Sequence, residues 1–202
     1  MPAVYDANLA RWERPAPVAD IAAELEAIRG DLGHDKLLVP DATAGRELRP
    51  GLEAAGFETT ELVVMARTGD QAVPARARAR EADVADLRWL RIEATSGDVA
   101  QLLERVATVV PTRFFAAPAD GEPLSYCALF AEDGIAQIEE VITLDRAQKR
   151  GLAGAVVAAA IAAADGADLL FLTADGDDWM PGWYGRLGFE EIGRRFDFTR
   201  PV

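Results

Sequence analysis

The alternation of apolar and polar positions divides the chain into short segments whose period switches repeatedly between two and about 3.6. Thr112 to Ala117 and Leu124 to Phe130 predict strands joined through the turn Pro118-Ala119-Asp120-Gly121, and Ile135 to Leu144 predicts a third. Leu152 to Ala164 is dominated by alanine, with no breaker before Gly166, and predicts a helix whose small side chains can pack closely on a sheet. Leu169-Leu170-Phe171-Leu172 is wholly apolar, as in a strand buried on both faces. Asp175-Gly176-Asp177-Asp178 predicts a turn. Asp177 or Asp178 can then cap a helix with Pro181 in its first turn, Trp183, Tyr184 and Leu187 as its apolar stripe, and Gly188 at its end. Phe189 opens a terminal strand in which Ile192, Phe196 and Phe198 alternate imperfectly. Upstream, Asp83 to Ala94 and Asp98 to Val109 are amphipathic helical patterns, each opened by an aspartate suited to capping. Before them Arg76, Arg78 and Arg80 alternate with alanine in a segment that can form a first strand. From Thr112 onward the predicted order is three strands, helix, strand, helix, strand, which is an α/β chain with a mixed sheet.

Composition narrows the chemistry. In a chain of 202 residues, half of them hydrophobic, there is material for one large core or two small ones. The longest apolar run, Gly151 to Ala164, is too short to span a bilayer, and no basic segment followed by an apolar core opens the chain; a cytoplasmic protein with no membrane partner is expected. Cys127 is the only cysteine and His34 the only histidine, which leaves no internal disulfide, no cysteine-based metal site and no practical Ser/His or Cys/His triad. His34 is expected in a loop before a strand. The Asp175, Asp177, Asp178 cluster lacks the calcium-loop pattern and is better explained as a turn and helix cap, so no metal is expected. A net charge of -13 argues against nucleic acid as a partner and favours a cationic amine.

One loop carries a chemical signal. In Gln148-Lys149-Arg150-Gly151-Leu152-Ala153-Gly154, two glycines allow close backbone approach, Lys149 and Arg150 supply positive charge, and the helix beginning near Leu152 directs its N–H groups at the same spot. A pyrophosphate fits such a cradle. The loop has neither the Gly-Lys-Ser/Thr ending of Walker nucleotide loops nor three glycines in dinucleotide spacing. Gln148-x-x-Gly151-x-Ala153 instead resembles the Q/R-x-x-G-x-G/A signature of the GNAT superfamily, the acyl-CoA-dependent N-acetyltransferases. Tyr184-Gly185-Arg186-Leu187-Gly188-Phe189-Glu190 resembles the Y-x-x-L-G-F element of the same superfamily, in the correct order. The resemblance covers roughly residues 73 to 202 and implies a GNAT N-acetyltransferase domain with that fold.

The first seventy residues hold a weaker echo. Leu37-Leu38-Val39, Pro50-Gly51 and Gly56-Phe57-Glu58 recur in order as Leu169-Leu170-Phe171, Pro181-Gly182 and Gly188-Phe189-Glu190. Asp20 to Arg29 is an amphipathic helical pattern in the position of the cofactor helix, and Thr60 to Ala66 corresponds to the terminal strand. Residues 1 to 72 therefore predict a degenerate, truncated half-repeat of the same fold. It lacks the Q-x-x-G-x-A loop and has Leu52 where Tyr184 stands, so it serves as a structural or substrate-shaping remnant or as the basis of a homodimer.

The resemblance implies acetyl-CoA as cosubstrate, with Val141, Ile142 and Thr143 offering backbone hydrogen bonds to the pantetheine arm and Gln148, Lys149, Arg150, Gly151, Leu152, Ala153 and Gly154 holding the pyrophosphate. It also implies Tyr184 as the general acid, since a phenol with a reference pKa of about 10 can protonate a thiolate of comparable basicity. Glu139 and Glu140 lie on a central strand, where a carboxylate needs a wet cleft or partners. Regular alternation would put Glu139 on the face of Val141 and Thr143, and Glu140 with Ile138 and Ile142. On that basis Glu139 is the candidate base or water-positioning group, with Glu140 or water alone as the alternatives. Cys127 has no identifiable activating partner, so direct transfer to a primary amine, of a small molecule, is expected. Trp179 and Trp183 line an acceptor pocket or pack on the sheet. Asp175 follows the strand where the superfamily often has an asparagine at the coenzyme, which puts that contact in doubt. The reading from a different class is a catalytically inactive module that binds coenzyme A or a partner, which turnover would distinguish.

Overall fold

Proline and glycine punctuate the start of the chain in the computed structural model, which describes residues 8–68, 73, 77–95, 97–119 and 121–201. The chain folds into two compact units. The first comprises Met1–Met65, Thr173–Arg186 and Glu190–Val202, and the second Ala66–Leu172 and Leu187–Phe189.

In the first unit, β1 (Ala10–Arg11) is followed by α1 (Val18–Arg29), which begins after Pro17 and ends at Gly30 with φ 57°. β2 (His34–Val39) leads into α2 (Ala42–Ala54), where the Asp41 side chain accepts a hydrogen bond from the Ala44 N–H at 2.7 Å and so satisfies one orphan donor of the first turn. Gly56, at φ 87°, reverses the chain into β3 (Glu58–Arg67). Predicted helix 20–29 and strands 37–39 and 60–66 are thus all present, in the expected order. β1 pairs in parallel with β2, and β2 pairs antiparallel with β9 (Phe189–Pro201) from His34↔Pro201 to Val39↔Phe196. Trp12, Ile21, Leu25, Leu37, Val39, Leu52, Phe57, Phe196 and Phe198 form the core. A Cβ on Gly45 would sit 2.2 Å from a Phe196 ring carbon, which explains a glycine inside α2.

His34 is the first residue of β2 and is buried, a correction to the expected loop position. Beside it the Asp35 side chain, 1% exposed, accepts two hydrogen bonds from Arg29 at 2.7 and 2.8 Å and two from Arg200, from Nη2 at 2.6 Å and from Nε at 3.2 Å. Burial pushes the Asp35 carboxyl up, but the hydrogen bonds from Arg29 and Arg200 outweigh it and hold its pKa below the ordinary value. A depressed folded pKa gives stability that is present above the unfolded pKa and is lost as pH falls through the folded one. Asp35→Asn is therefore expected to lower stability at pH 7 by about 3 kcal/mol, because two arginines lose their charged partner. The difference from wild type should shrink below about pH 4, which urea titrations at several pH values would check.

The second unit begins with β4 (Arg80–Ala82), α3 (Arg88–Ala94) and α4 (Gly97–Val106). The first predicted helix is shorter than its pattern: Asp83 accepts from the Ala85 N–H at 2.8 Å in a turn that precedes α3, so it does not cap that helix. Asp98 lies one residue inside α4. Of the alternating arginines, Arg80 is in a strand and Arg78 is not, and Arg76 lies outside the described residues. β5 (Thr112–Ala119), β6 (Glu122–Glu132) and β7 (Ile135–Thr143) form an antiparallel meander. Asp133 and Gly134, both with positive φ, make the tight turn between β6 and β7. α5 (Leu152–Ala163) packs on β5, β6 and β7 and returns the chain to β8 (Leu169–Asp175), parallel to β7. Within the first unit the paired strands run β1-β2-β9, and within the second β8-β7-β6-β5-β4, parallel and antiparallel pairs mixed. Among the described residues no helix is long and apolar enough to cross a membrane.

Candidate active site

β7 changes partners midway. Its parallel ladder with β8 runs from Ile135↔Leu169 to Ile138↔Leu172, while the strand itself continues to Thr143. The edge from Glu139 to Thr143 is therefore not committed to that ladder. On the opposite edge, β6 pairs Ala128 with Glu139 and then Tyr126 with Ile142. Cys127 faces two residues, Glu140 and Val141, and this is a β-bulge. Glu140 occupies the left-handed region at φ 51°.

The bulge corrects the expected facing of the two glutamates. Directly opposed residues share a face, so Glu139 lies with Ile142 on the face of Ala128 and Tyr126, while Ile138 and Thr143 lie on the other. Glu139 does not share a face with Thr143. Its carboxylate accepts from Gln137 Nε2, and that of Glu140 accepts from the Tyr126 hydroxyl. Ser125 Oγ donates to the Ile142 carbonyl at 2.8 Å and accepts from the Thr143 hydroxyl at 2.8 Å, which ties the end of β7 to β6. Burial first, and then the charge and hydrogen bond of Glu140, push the Tyr126 phenol well above its ordinary pKa, against an opposing pull from Arg91. Arg91, on α3, has none of its side chain exposed. Neither Tyr126 nor Arg91 stands out in the sequence. The signal that was available is the adjacent Glu139-Glu140 pair in an apolar strand, because regular alternation cannot turn both toward the same partner.

After Thr143 the chain makes a 3-10 turn at Asp145–Ala147, steadied by Gln148 Nε2 donating to Asp145 Oδ1 at 2.8 Å. Lys149 at φ 61° and Gly151 at φ 81° both adopt left-handed conformations. Such positions turn successive backbone N–H groups into a concavity that attracts anions. Residues 148–150 are exposed, whereas Leu152 is buried and anchors the start of α5. α5 has no side-chain cap and no acidic residue in its first turn, which leaves its N-terminal dipole open to an anionic ligand. A Cβ built on Gly154 would meet nothing within 4 Å, so space for a ligand adjoins the helix.

A cleft of about 380 Å³ lies between Glu93 and Ala94 of α3 and the segment Ile142 to Arg146. Arg146 forms an ion pair with Glu93 and lies 6.0 Å from the centre of the Trp89 ring. A larger cavity, about 480 Å³, is found at β4 and β5, where Glu81 is engaged by Arg113 and Asp83 by its own turn; of the sequence-predicted site residues, Ile142 and Thr143 line the smaller cleft, and neither cavity is lined by Glu139 or Tyr184. Cys127 is buried, its Sγ 3.4 Å from the Val156 carbonyl, and burial pushes its thiol up to about 12, far from a usable nucleophile. Among the described residues no group of histidine, cysteine and carboxylate side chains is arranged to hold a metal.

Glu139, Val141, Ile142, Thr143 and residues 148–154 all belong to the second unit. Tyr184 belongs to the first, on α6 (Met180–Gly185), where it is 4% exposed and its ring lies 4.8 Å from that of Trp183. Trp179 lies 6.0 Å from Trp183 and is largely exposed. The helix ends at Gly185, before the expected stop at Gly188. Its N-cap is Trp179 with no side-chain cap bond, which corrects the expected role of Asp177 or Asp178; Asp178 accepts from the Trp179 N–H, and Asp175 from the Asp177 N–H at 3.0 Å.

A parallel ladder that stops midway, a bulged strand and a loop of left-handed turns entering an uncapped helix together mark this part of the second unit. The family model for the acetyltransferase (GNAT) family matches residues 80–189, more than half of the chain, and the chain belongs to that family, which uses acetyl-CoA. Solved structures agree in fold. A conserved protein of unknown function from Staphylococcus epidermidis superposes with a TM-score of 0.76 at 14% identity, over 99% of this chain and 87% of its own. A GCN5-related N-acetyltransferase from Kribbella flavida gives 0.63 at 23% identity, over 95% and 81%. A tandem GNAT protein from the clavulanic acid biosynthesis pathway gives 0.60 at 15%, over 91% and 69%. No curated protein sequence matches.

Proposed function

We propose that the chain transfers an acetyl group from acetyl-CoA directly to the primary amine of a small molecule. The observation that carries this reading is the edge of β7 from Glu139 to Thr143, released from β8 and leading straight into the anion-binding loop. An extended pantetheine arm can add to such an edge through main-chain hydrogen bonds, while the loop and the α5 N-terminus take the pyrophosphate. The amine nitrogen attacks the thioester carbonyl carbon, the carbon–sulfur bond breaks, Glu139 removes the amine proton directly or through a water, and Tyr184 protonates the departing sulfur. The buried, neutral Cys127 supports direct transfer over an acyl-enzyme. A net charge of -13 supports a cationic acceptor that loses its proton at the site.

Titration calorimetry with acetyl-CoA and a panel of small amines read by mass spectrometry tests the proposal. Binding together with acetylated product is the expected result. Binding without product across the panel would make the chain a coenzyme A-binding module, and absence of binding would remove the donor site.

A further inference from the structure

Glu140 is held in a conformation that a residue with a Cβ rarely adopts, at φ 51° in the middle of a central strand. That region is disfavoured for such a residue by roughly five- to thirtyfold against its ordinary conformations. Its carboxylate accepts from the hydroxyl of Tyr126, a side chain with no exposed surface. The Arg91 guanidinium is also wholly buried, and its positive charge acts on the Tyr126 phenol. Arg91 Nη1 lies 3.7 Å from Glu104 of α4, which also faces Arg88 at 3.5 Å. A polar chain thus runs from the helix pair α3 and α4 through the interior to the bulge. Packing alone does not call for an arginine in that position, since an apolar side chain of similar volume avoids the cost of desolvating the charge.

Resting on the donor site proposed above, we propose that Arg91 and Tyr126 are positioning residues that hold Glu140 in the bulge and so keep the Val141–Thr143 edge in its donor-binding register. When the clamp is lost, Glu140 relaxes toward extended backbone, the extra residue opposite Cys127 is absorbed, and the side chains beyond it exchange faces. Ile142 and Thr143 are then turned the wrong way for the ligand.

Glycine separates this role from any other, because it adopts positive φ without a side-chain partner. Tyr126→Phe and Glu140→Ala are expected to raise the Kd for acetyl-CoA about tenfold, whereas Glu140→Gly leaves it near wild type. In the Glu140→Gly background, Tyr126→Phe should add nothing. Amide hydrogen exchange across residues 139–143, measured without ligand, should rise in Tyr126→Phe and Glu140→Ala and stay low in Glu140→Gly. The clamp is overturned if Glu140→Gly loses as much affinity and protection as Glu140→Ala, or if Tyr126→Phe alters neither. A wild-type protein that fails to bind acetyl-CoA overturns the donor site instead, and the exchange measurement then still decides whether the clamp holds the bulge.

Discussion

Tyr184→Phe is expected to lower kcat by about 10²–10⁴-fold while leaving the Kd for acetyl-CoA unchanged. The phenylalanine ring preserves the volume of a residue that is 4% exposed and packs 4.8 Å from the Trp183 ring, so the substitution removes a proton donor without opening a cavity. The deficit should be largest for the natural thioester and should narrow with an acetyl donor whose thiol is more acidic, because such a leaving group needs less help from an acid. Steady-state kinetics with both donors, alongside thermal unfolding to confirm that α6 is intact, checks this. A kcat equal to wild type with both donors would exclude Tyr184 as the acid. A proportional loss with both donors would point to a role in positioning instead.

Much of the second unit was legible because its signals are local. The alanine run of α5 fixes a helix by propensity alone, and the apolar run of β8 is read as a strand, although its burial alternates, with Leu170, Leu172 and Ala174 buried. The conformation of the loop from Gln148 to Gly154 was legible only in part, since Gly151 marks the left-handed position before α5 while nothing in the sequence marks the one at Lys149. The bulge at Glu140 was not. No glycine marks it, and counting by twos assumes a regular pleat that the register of Tyr126↔Ile142 breaks. Arg91 was hidden by its helix, where an arginine inside an amphipathic pattern ordinarily faces water; its burial is a tertiary effect of α3 packing on β6. Asp83 and Asp178 misled in the opposite sense. Asp83, Asp175 and Asp178 each bond a backbone N–H one or two residues ahead, a local alternative to capping that the same residue types favour equally.

Gly151→Val is expected to weaken acetyl-CoA binding by on the order of a hundredfold while α5 itself survives. Gly151 is the N-cap of α5 at φ 81° and ψ 9°, a region that a β-branched residue occupies only under strain. The helix that follows is anchored by buried Leu152, Ala155, Val156, Val157 and Ala160, so the strain should be released in the loop rather than in the core. Rebuilding the loop turns the Lys149 and Gly151 conformations away from the concavity and misaligns the first N–H groups of α5 with the pyrophosphate. The loss should therefore track the pyrophosphate. Calorimetry is expected to find acetyl-CoA weakened in the variant, while an acetylated pantetheine lacking the pyrophosphate binds wild type and variant alike, because that fragment depends on the Val141–Thr143 edge of β7. Equal weakening of both ligands would show that the loop and the edge act as one unit, and equal retention of both would move the pyrophosphate away from Gly151.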